Sequence, residues 1–238
     1  MHGIIMFETN NWPHEDWPHE DKHYHRLHDH FKFNDQGACW RSIFQIDNFY
    51  RNPDEVRDYA LSCETTTDKN KCGDMIGRRV YEKNFEMECN LKPVFEKLVK
   101  NDVWKKNLRQ DGRGGFNDTE WDKLWTNMPF ICNITYGKDF AEREDSYNGK
   151  VVTYHKDHDK HRWAAVIYLN KPEECEGGTR FYEFKEDWPG FEPSEKDAFT
   201  IEMKYNTMIL YEARHCHGAV LNRDMFQTKP RLAQVLFM

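Results

Sequence analysis

The chain has 238 residues, 38% hydrophobic, 15% aromatic and 32% charged, with a formal net charge of −7. That length suits one domain, or two, with a substantial core, and the acidic balance argues against general nucleic-acid binding, which depends on basic patches. No run approaches the roughly 20 apolar residues of a membrane helix, and Ile4-Ile5-Met6 is too short for a signal peptide.

Residues 1–35 are polar and carry histidines at 2, 14, 19, 23, 25, 28 and 30. They read as a solvated N-terminal arm, in which His23-x-His25 and His28-x-His30 would bind metal adventitiously. Residues 40–50 alternate loosely and predict a strand. Asn52-Pro53 then opens a helix over 54–62, since Asn caps well and Pro suits the first turn. Val56, Tyr59 and Ala60 share one face of it. Residues 64–76 predict a polar loop, and 91–99 a second helix with Val94, Phe95 and Leu98 inward. Gly112, Gly114 and Gly115 make 105–121 a long loop. Short strand-like runs follow at 130–136, 150–155, 162–169, 179–184, 198–203, 207–211, 216–221 and 231–238. The polar segments 105–121 and 137–149 read equally as loops over a site or as plain connections. Helices thus precede short strands, with no βαβα alternation and no Gly-x-Gly-x-x-Gly. The class is α+β, its second half an antiparallel sandwich or barrel. Seven cysteines with no Cys-x-x-Cys pair read as free thiols in a reducing compartment, which points to the cytoplasm.

The pattern His-x-Asp occurs at 14–16, 19–21 and 155–157. The first two lie in a duplicated Trp-Pro-His-Glu-Asp stretch with no apolar run nearby. The third ends the run Val151-Val152-Thr153-Tyr154 and leads into the β-branched and aromatic run from Trp163 to Leu169. On a strand, residues i and i+2 face the same side, so His155 and Asp157 converge. Two imidazoles and one carboxylate hold one face of Fe(II) and leave the opposite positions open. His217, six residues after Tyr211, offers the second imidazole. His215 competes with it, and the offset after the Met208-to-Tyr211 strand favours His217. On the final run Arg231, Ala233, Val235 and Phe237 share one face. An arginine in line with three apolar residues points inward, where its charge is costly without a partner. An anionic ligand would supply one. Each piece has a plain alternative: Arg231 as a structural ion pair, Tyr168 as core, Gly177-Gly178 as a hairpin turn, His217 as a satisfied core histidine. Their joint occurrence in this order favours a site.

These residues, with Tyr168-Leu169-Asn170 and Gly177-Gly178-Thr179-x-Phe181, resemble the iron- and 2-oxoglutarate-dependent oxygenases. The likeness is nearest to the prolyl-hydroxylase-like branch and its small bacterial and phage members. It covers 130–238, and Ile46-Asp47-Asn48-Phe49-Tyr50 before a helix is similar to the start of such domains. The resemblance implies a double-stranded β-helix with supporting N-terminal helices, spanning 36–238 with a strand-rich core at 130–238. It implies His155, Asp157 and His217 as Fe(II) ligands. Arg231 and Tyr168 would hold the far carboxylate of 2-oxoglutarate, with Tyr136 close to the cosubstrate. The frequent Arg-x-Ser pattern is Arg231-Leu232-Ala233 here. The implied activity consumes O₂ and 2-oxoglutarate and releases succinate and CO₂. With Asp157 in place, hydroxylation is implied rather than halogenation. The acidic chain favours a small molecule or a protein side chain as substrate over nucleic acid. A second reading is a non-enzymatic, cupin-like metal-binding barrel acting in storage or sensing.

Overall fold

The computed structural model describes residues 5–8, 24–34, 37–68, 75–82, 85–88, 129–146, 153–157, 163–183, 194–213 and 215–237. The strands are β1 (Ile5–Glu8), β2 (Tyr24–Asn34), β3 (Gly37–Ile46), β4 (Thr65–Thr66), β5 (Arg78–Glu82), β6 (Phe85–Glu88), β7 (Phe130–Thr135), β8 (Tyr154–His155), β9 (Trp163–Tyr168), β10 (Gly178–Glu183), β11 (Ser194–Glu202), β12 (Thr207–Glu212), β13 (His217–Val220) and β14 (Arg231–Phe237). Helix α1 spans Pro53–Ser62 and α2 spans Gly137–Ser146.

The larger sheet runs β2-β3-β12-β9-β14-β7-β5-β4, and a second runs β11-β10-β13-β8. Pairing inside both is antiparallel, while β1 and β6 form a parallel pair. From β7 onward the chain keeps changing sheet: β7, β9, β12 and β14 join the larger one, and β8, β10, β11 and β13 the smaller. The fold is therefore β-rich, with few helices among the described residues.

Strand periodicity sorts the core into two layers. Trp163, Ala165, Ile167 and Leu169 face one cluster with Met208, Leu210, Leu232 and Leu236, and α1 covers it with Val56 and Ala60. Ala164, Val166 and Tyr168 face the other, with Ile209, Tyr211, Ala233 and Val235. Phe181, Ile201 and Met203 from the smaller sheet close that second cluster, so it lies between the sheets. Because β9 and β14 are apolar on both faces, hydrophobicity alone does not fix their register. Polar partners do. Gln234 faces the α1 side, where its Oε1 accepts from the buried Tyr50 hydroxyl at 2.6 Å, and Arg231 lies on the opposite, inter-sheet face. Arg231, Ala233 and Val235 share that face, as their spacing predicts.

Asn52 occupies the N-cap of α1 without a side-chain cap bond, so the first turn rests on Pro53 and on Asp54 and Glu55 near the positive helix end. The buried Arg57 donates to both Glu174 oxygens at 3.1 Å, tying α1 to the turn after β9.

Three regions differ from the sequence reading. Residues 137–146 form α2, where a polar connection was expected. Its only large buried side chain is Phe140, so no apolar stripe announces the helix. It starts where Tyr136 N–H donates to Asp139 at 2.8 Å, and Arg223 fastens it through Glu144 and Asp145. Within 1–35, residues 5–8 and 24–34 form β1 and β2 and pair with β6 and β3, and within the expected loop 64–76 residues 65–66 form β4 and pair with β5. The expected helix 91–99, the loop 105–121 and the His-x-Asp patterns at 14–16 and 19–21 lie outside the described residues. Among the described cysteines, Cys63, Cys132 and Cys175 are free thiols. No helix among the described residues is long and apolar enough to cross a membrane.

Candidate metal centre

His155 and His217 are direct partners across the β8–β13 ladder, and Gly218 pairs with Tyr154 beside them. That closeness needs the glycine. A Cβ on Gly218 would lie 2.7 Å from the Thr153 carbonyl oxygen and 2.9 Å from Tyr154 N, all rigid backbone. The two rings end with centroids 4.6 Å apart. Asp157 follows two residues after His155, and its N–H donates to Ala213 O at 2.9 Å, which pins it beside the end of β12. Its Oδ1 lies 3.6 Å from His155 Nε2, and its Oδ2 3.7 Å from His217 Nε2. One ligand atom from each of the three residues falls within 4.8 Å of the others.

Backbone carbonyls set the tautomers. His155 Nδ1 lies 3.2 Å from Thr153 O, and His217 Nδ1 lies 2.8 Å from His215 O. With each Nδ1–H donated to a carbonyl, both Nε2 lone pairs turn toward Asp157, the arrangement in which a histidine binds metal. Burial of His217, helped by the neighbouring His155, pushes its pKa down to about 4 against the pull of Asp157. It is therefore a neutral donor at ordinary pH. Burial opposes charge on His155 too, but the Asp157 carboxylate outweighs it and raises that pKa. His155 is 57% exposed, so water screens this pairing. The neutral His217 nitrogen, a His155 nitrogen that can exchange its proton for a metal, and one carboxylate oxygen converge at the rim of the inter-sheet core and fit a divalent ion such as Fe(II).

Two residues that the sequence reading passed over complete the neighbourhood. One is Gly218. The other is Tyr211 at the end of β12, whose buried hydroxyl donates to His217 Nε2 at 2.9 Å. Burial and the adjacent Asp157 charge hold this phenol well above its ordinary pKa. Its signal in the sequence was its inward parity with Ile209, six residues before His217. His215 is buried edge-on against Phe181, at 5.2 Å, and stands outside the three-residue cluster.

Arg231 also lies between the sheets, 5% exposed. Its guanidinium carbon is 5.9 Å from the Tyr168 ring centroid, and its Nε has no hydrogen-bond partner among the described residues. No described carboxylate pairs with it, and burial lowers its pKa. Tyr168 reaches across to the smaller sheet, its hydroxyl 2.6 Å from Thr179 Oγ1. Gly177 and Gly178 make the turn before Thr179 possible: both have positive φ, 65° and 153°, and a Cβ on Gly178 would meet Ile201 O at 2.0 Å. Tyr136 is not brought here. It packs against the α1-side core under Lys138, because it follows β7 on the other face of the sheet.

No protein-family model matches the sequence, and no curated protein does. Among solved structures, the chain is similar to an oxidoreductase of the 2OG-Fe(II) oxygenase family from Burkholderia pseudomallei, at 13% identity and a TM-score of 0.37, covering 78% of this chain and 76% of that one. It is also similar to IDO from Bacillus thuringiensis, at 10% identity and a TM-score of 0.36, covering 82% and 88%. Likenesses this remote carry no weight for the activity of the chain.

Proposed function

We propose that the protein is an Fe(II)- and 2-oxoglutarate-dependent dioxygenase on a double-stranded β-helix, hydroxylating a small molecule or a protein side chain. The observation that carries this reading is Arg231: a buried guanidinium without a described carboxylate partner, facing the same inter-sheet core as His155, Asp157 and His217. Such a charge costs several kcal/mol unless an anion neutralises it. A storage or sensor barrel needs the metal ligands but has no use for a second, buried anion site. The alternation of β7 to β14 between two facing sheets supports the barrel topology.

The three protein donors occupy one face of the ion and leave the other face to the 2-oxo acid and O₂. Arg231 would hold the far carboxylate through a two-pronged pair, with the Tyr168 hydroxyl beside it and Thr179 orienting that hydroxyl. The apolar side chains of Val166, Ala233 and Val235 line the same layer and keep water from the acid. Bound iron would couple oxidative decarboxylation of 2-oxoglutarate to succinate and CO₂ with oxidation of a substrate C–H bond.

The test is succinate formation by the full chain given Fe(II), 2-oxoglutarate and O₂, with Asp157→Ala as the control. Uncoupled turnover is expected without substrate, and its loss in Asp157→Ala. Metal binding at the triad without any binding of 2-oxoglutarate would instead identify a metal-binding barrel. Amino acids, peptides and nucleosides that stimulate turnover would then identify the substrate class.

A further inference from the structure

Tyr211 is not explained by the three-ligand site. Its hydroxyl donates to His217 Nε2 at 2.9 Å, yet that lone pair is the one a metal must take. Once the metal occupies it, the hydroxyl is left in a site where Tyr211 is only 2% exposed, with the Asp157 carboxylate beside it. Its position offers another use. For bonds of about 2.1 Å at right angles, neighbouring ligand atoms stand about 3 Å apart. Tyr211 Oη stands at that distance from His217 Nε2, on the same side as Asp157.

We propose that the Tyr211 oxygen is a fourth, displaceable ligand of the metal, occupying a position that the incoming 2-oxo acid must take. This rests on the dioxygenase reading above, on its metal centre and its 2-oxo acid alike. The count requires displacement. His155, Asp157 and His217 leave three positions of an octahedron, and a chelating acid with O₂ needs all three. Tyr211 therefore takes one of those three positions in the resting centre and gives it up when the acid arrives. β12 allows this. Tyr211 is the penultimate residue of the strand, next to the turn that carries Ala213, so a rotation of its side chain leaves the ladder to β9 intact.

Ferric iron is the probe, because a phenol oxygen that binds Fe(III) gives up its proton to bulk water and produces a visible ligand-to-metal charge-transfer band. Imidazole and carboxylate give no such band, and Tyr24, which stands between His23 and His25, is replaced by Phe in every protein compared. The full chain loaded with Fe(III) should show the band. Tyr211→Phe should bind the same iron without it, and Tyr168→Phe, which removes the other deep phenol, should keep it. Adding 2-oxoglutarate should bleach the band in the unmutated protein. A colourless protein whose iron is still lost in Asp157→Ala, or a band that survives in Tyr211→Phe, overturns the assignment and leaves the triad standing. A band that persists although calorimetry shows 2-oxoglutarate bound overturns the displacement, whereas no binding of the acid at all removes the dioxygenase reading itself. Iron binding indifferent to Asp157→Ala removes the metal centre itself, and this inference with it.

Discussion

His217 faces His155 across the β13–β8 ladder, with ring centroids 4.6 Å apart, because Gly218 lets the two backbones touch. The convergence of His155, Asp157 and His217 is thus a register property of a two-residue strand, and it responds to a change that touches none of the three. Gly218→Ala places a Cβ 2.7 Å from Thr153 O, so β8 must move and carry His155 with it. Metal affinity is expected to fall at least tenfold, about 1.4 kcal/mol, with the far-ultraviolet dichroism unchanged. Competition with a coloured chelator for Mn(II) measures this. Unchanged affinity would show that β8 yields without disturbing the site.

His217→Ala and Asp157→Ala should each abolish turnover and remove one equivalent of bound metal. His215→Ala should keep both, since His215 packs edge-on against Phe181 rather than joining the cluster. Its cost should appear as a lowered melting temperature. The reverse ranking of the two histidines would move the distal ligand by two residues.

Several features of this site were legible in the chain. Strand spacing brought His155 and Asp157 together, and parity turned Arg231 inward with Ala233 and Val235. The eight runs after residue 130 appear as β7 to β14 because each is a β-branched or aromatic stretch bounded by turn residues. What periodicity could not carry depends on contact across sequence distance. Helix α2 rests on one buried phenylalanine and on ion pairs to Arg223, about eighty residues away in the chain. Strand β2 is rich in polar residues and is defined by its pairing to β3, so deleting residues 1–35 to remove stray metal sites would also uncover a sheet edge. Deleting 1–23 keeps β2 but removes β1, the partner of β6. Tyr136 misled because local sequence marks a tyrosine near the end of β7, while the face it takes is decided by the sheet.

The metal-free protein should lose stability in acid, with His217 as a main cause. Its folded pKa is near 4, against an ordinary value of 6.5. Between those values the unfolded ring takes a proton that the folded ring refuses, so stability is full above pH 6.5, falls through the window and levels below 4. The full drop is on the order of 3 kcal/mol. His155 acts with the opposite sign: its pKa is raised, so its contribution is present in acid and fades as pH rises through the folded value. Exposure weakens that effect. Melting temperature against pH, in chelator, should slope down from pH 7 to 4, and His217→Gln should flatten it. An equal slope in the variant would assign acid lability to other groups.

Asn206 offers a test of the frame that holds β12. It sits at φ 55°, donates to Tyr50 O at 2.9 Å and accepts from Tyr50 N at 2.8 Å, joining the β11–β12 turn to the start of α1. Asn206→Ala loses both bonds and meets the left-handed penalty, for a cost of about 2–4 kcal/mol. Asn206→Gly loses the bonds but tolerates the backbone, and should recover roughly 1 kcal/mol of that loss. Chemical denaturation of the three proteins measures the difference. Equal stabilities of the Ala and Gly variants would mean that the turn relaxes without strain.

Arg231 decides between a dioxygenase and a metal-binding barrel. A two-pronged, charge-assisted pair to a carboxylate is stronger than a neutral hydrogen bond, and breaking a buried pair costs on the order of 3–5 kcal/mol. In binding, that is a hundredfold or more. Arg231→Ala should therefore raise the 2-oxoglutarate requirement by at least two orders of magnitude while the triad keeps its metal. Arg231→Lys should fall between, since lysine retains the charge but not the fork. Lys229, two residues earlier and exposed, is the control, and Lys229→Ala should change nothing. Anaerobic titration of the Fe(II) protein, followed by the metal-to-ligand band of the chelated acid, separates anchoring from ligation. Because removing Arg231 also relieves a buried charge, the variant should melt no lower than the unmutated protein when 2-oxoglutarate is absent. A large destabilisation without the acid would instead give Arg231 a structural partner and take the anion site away.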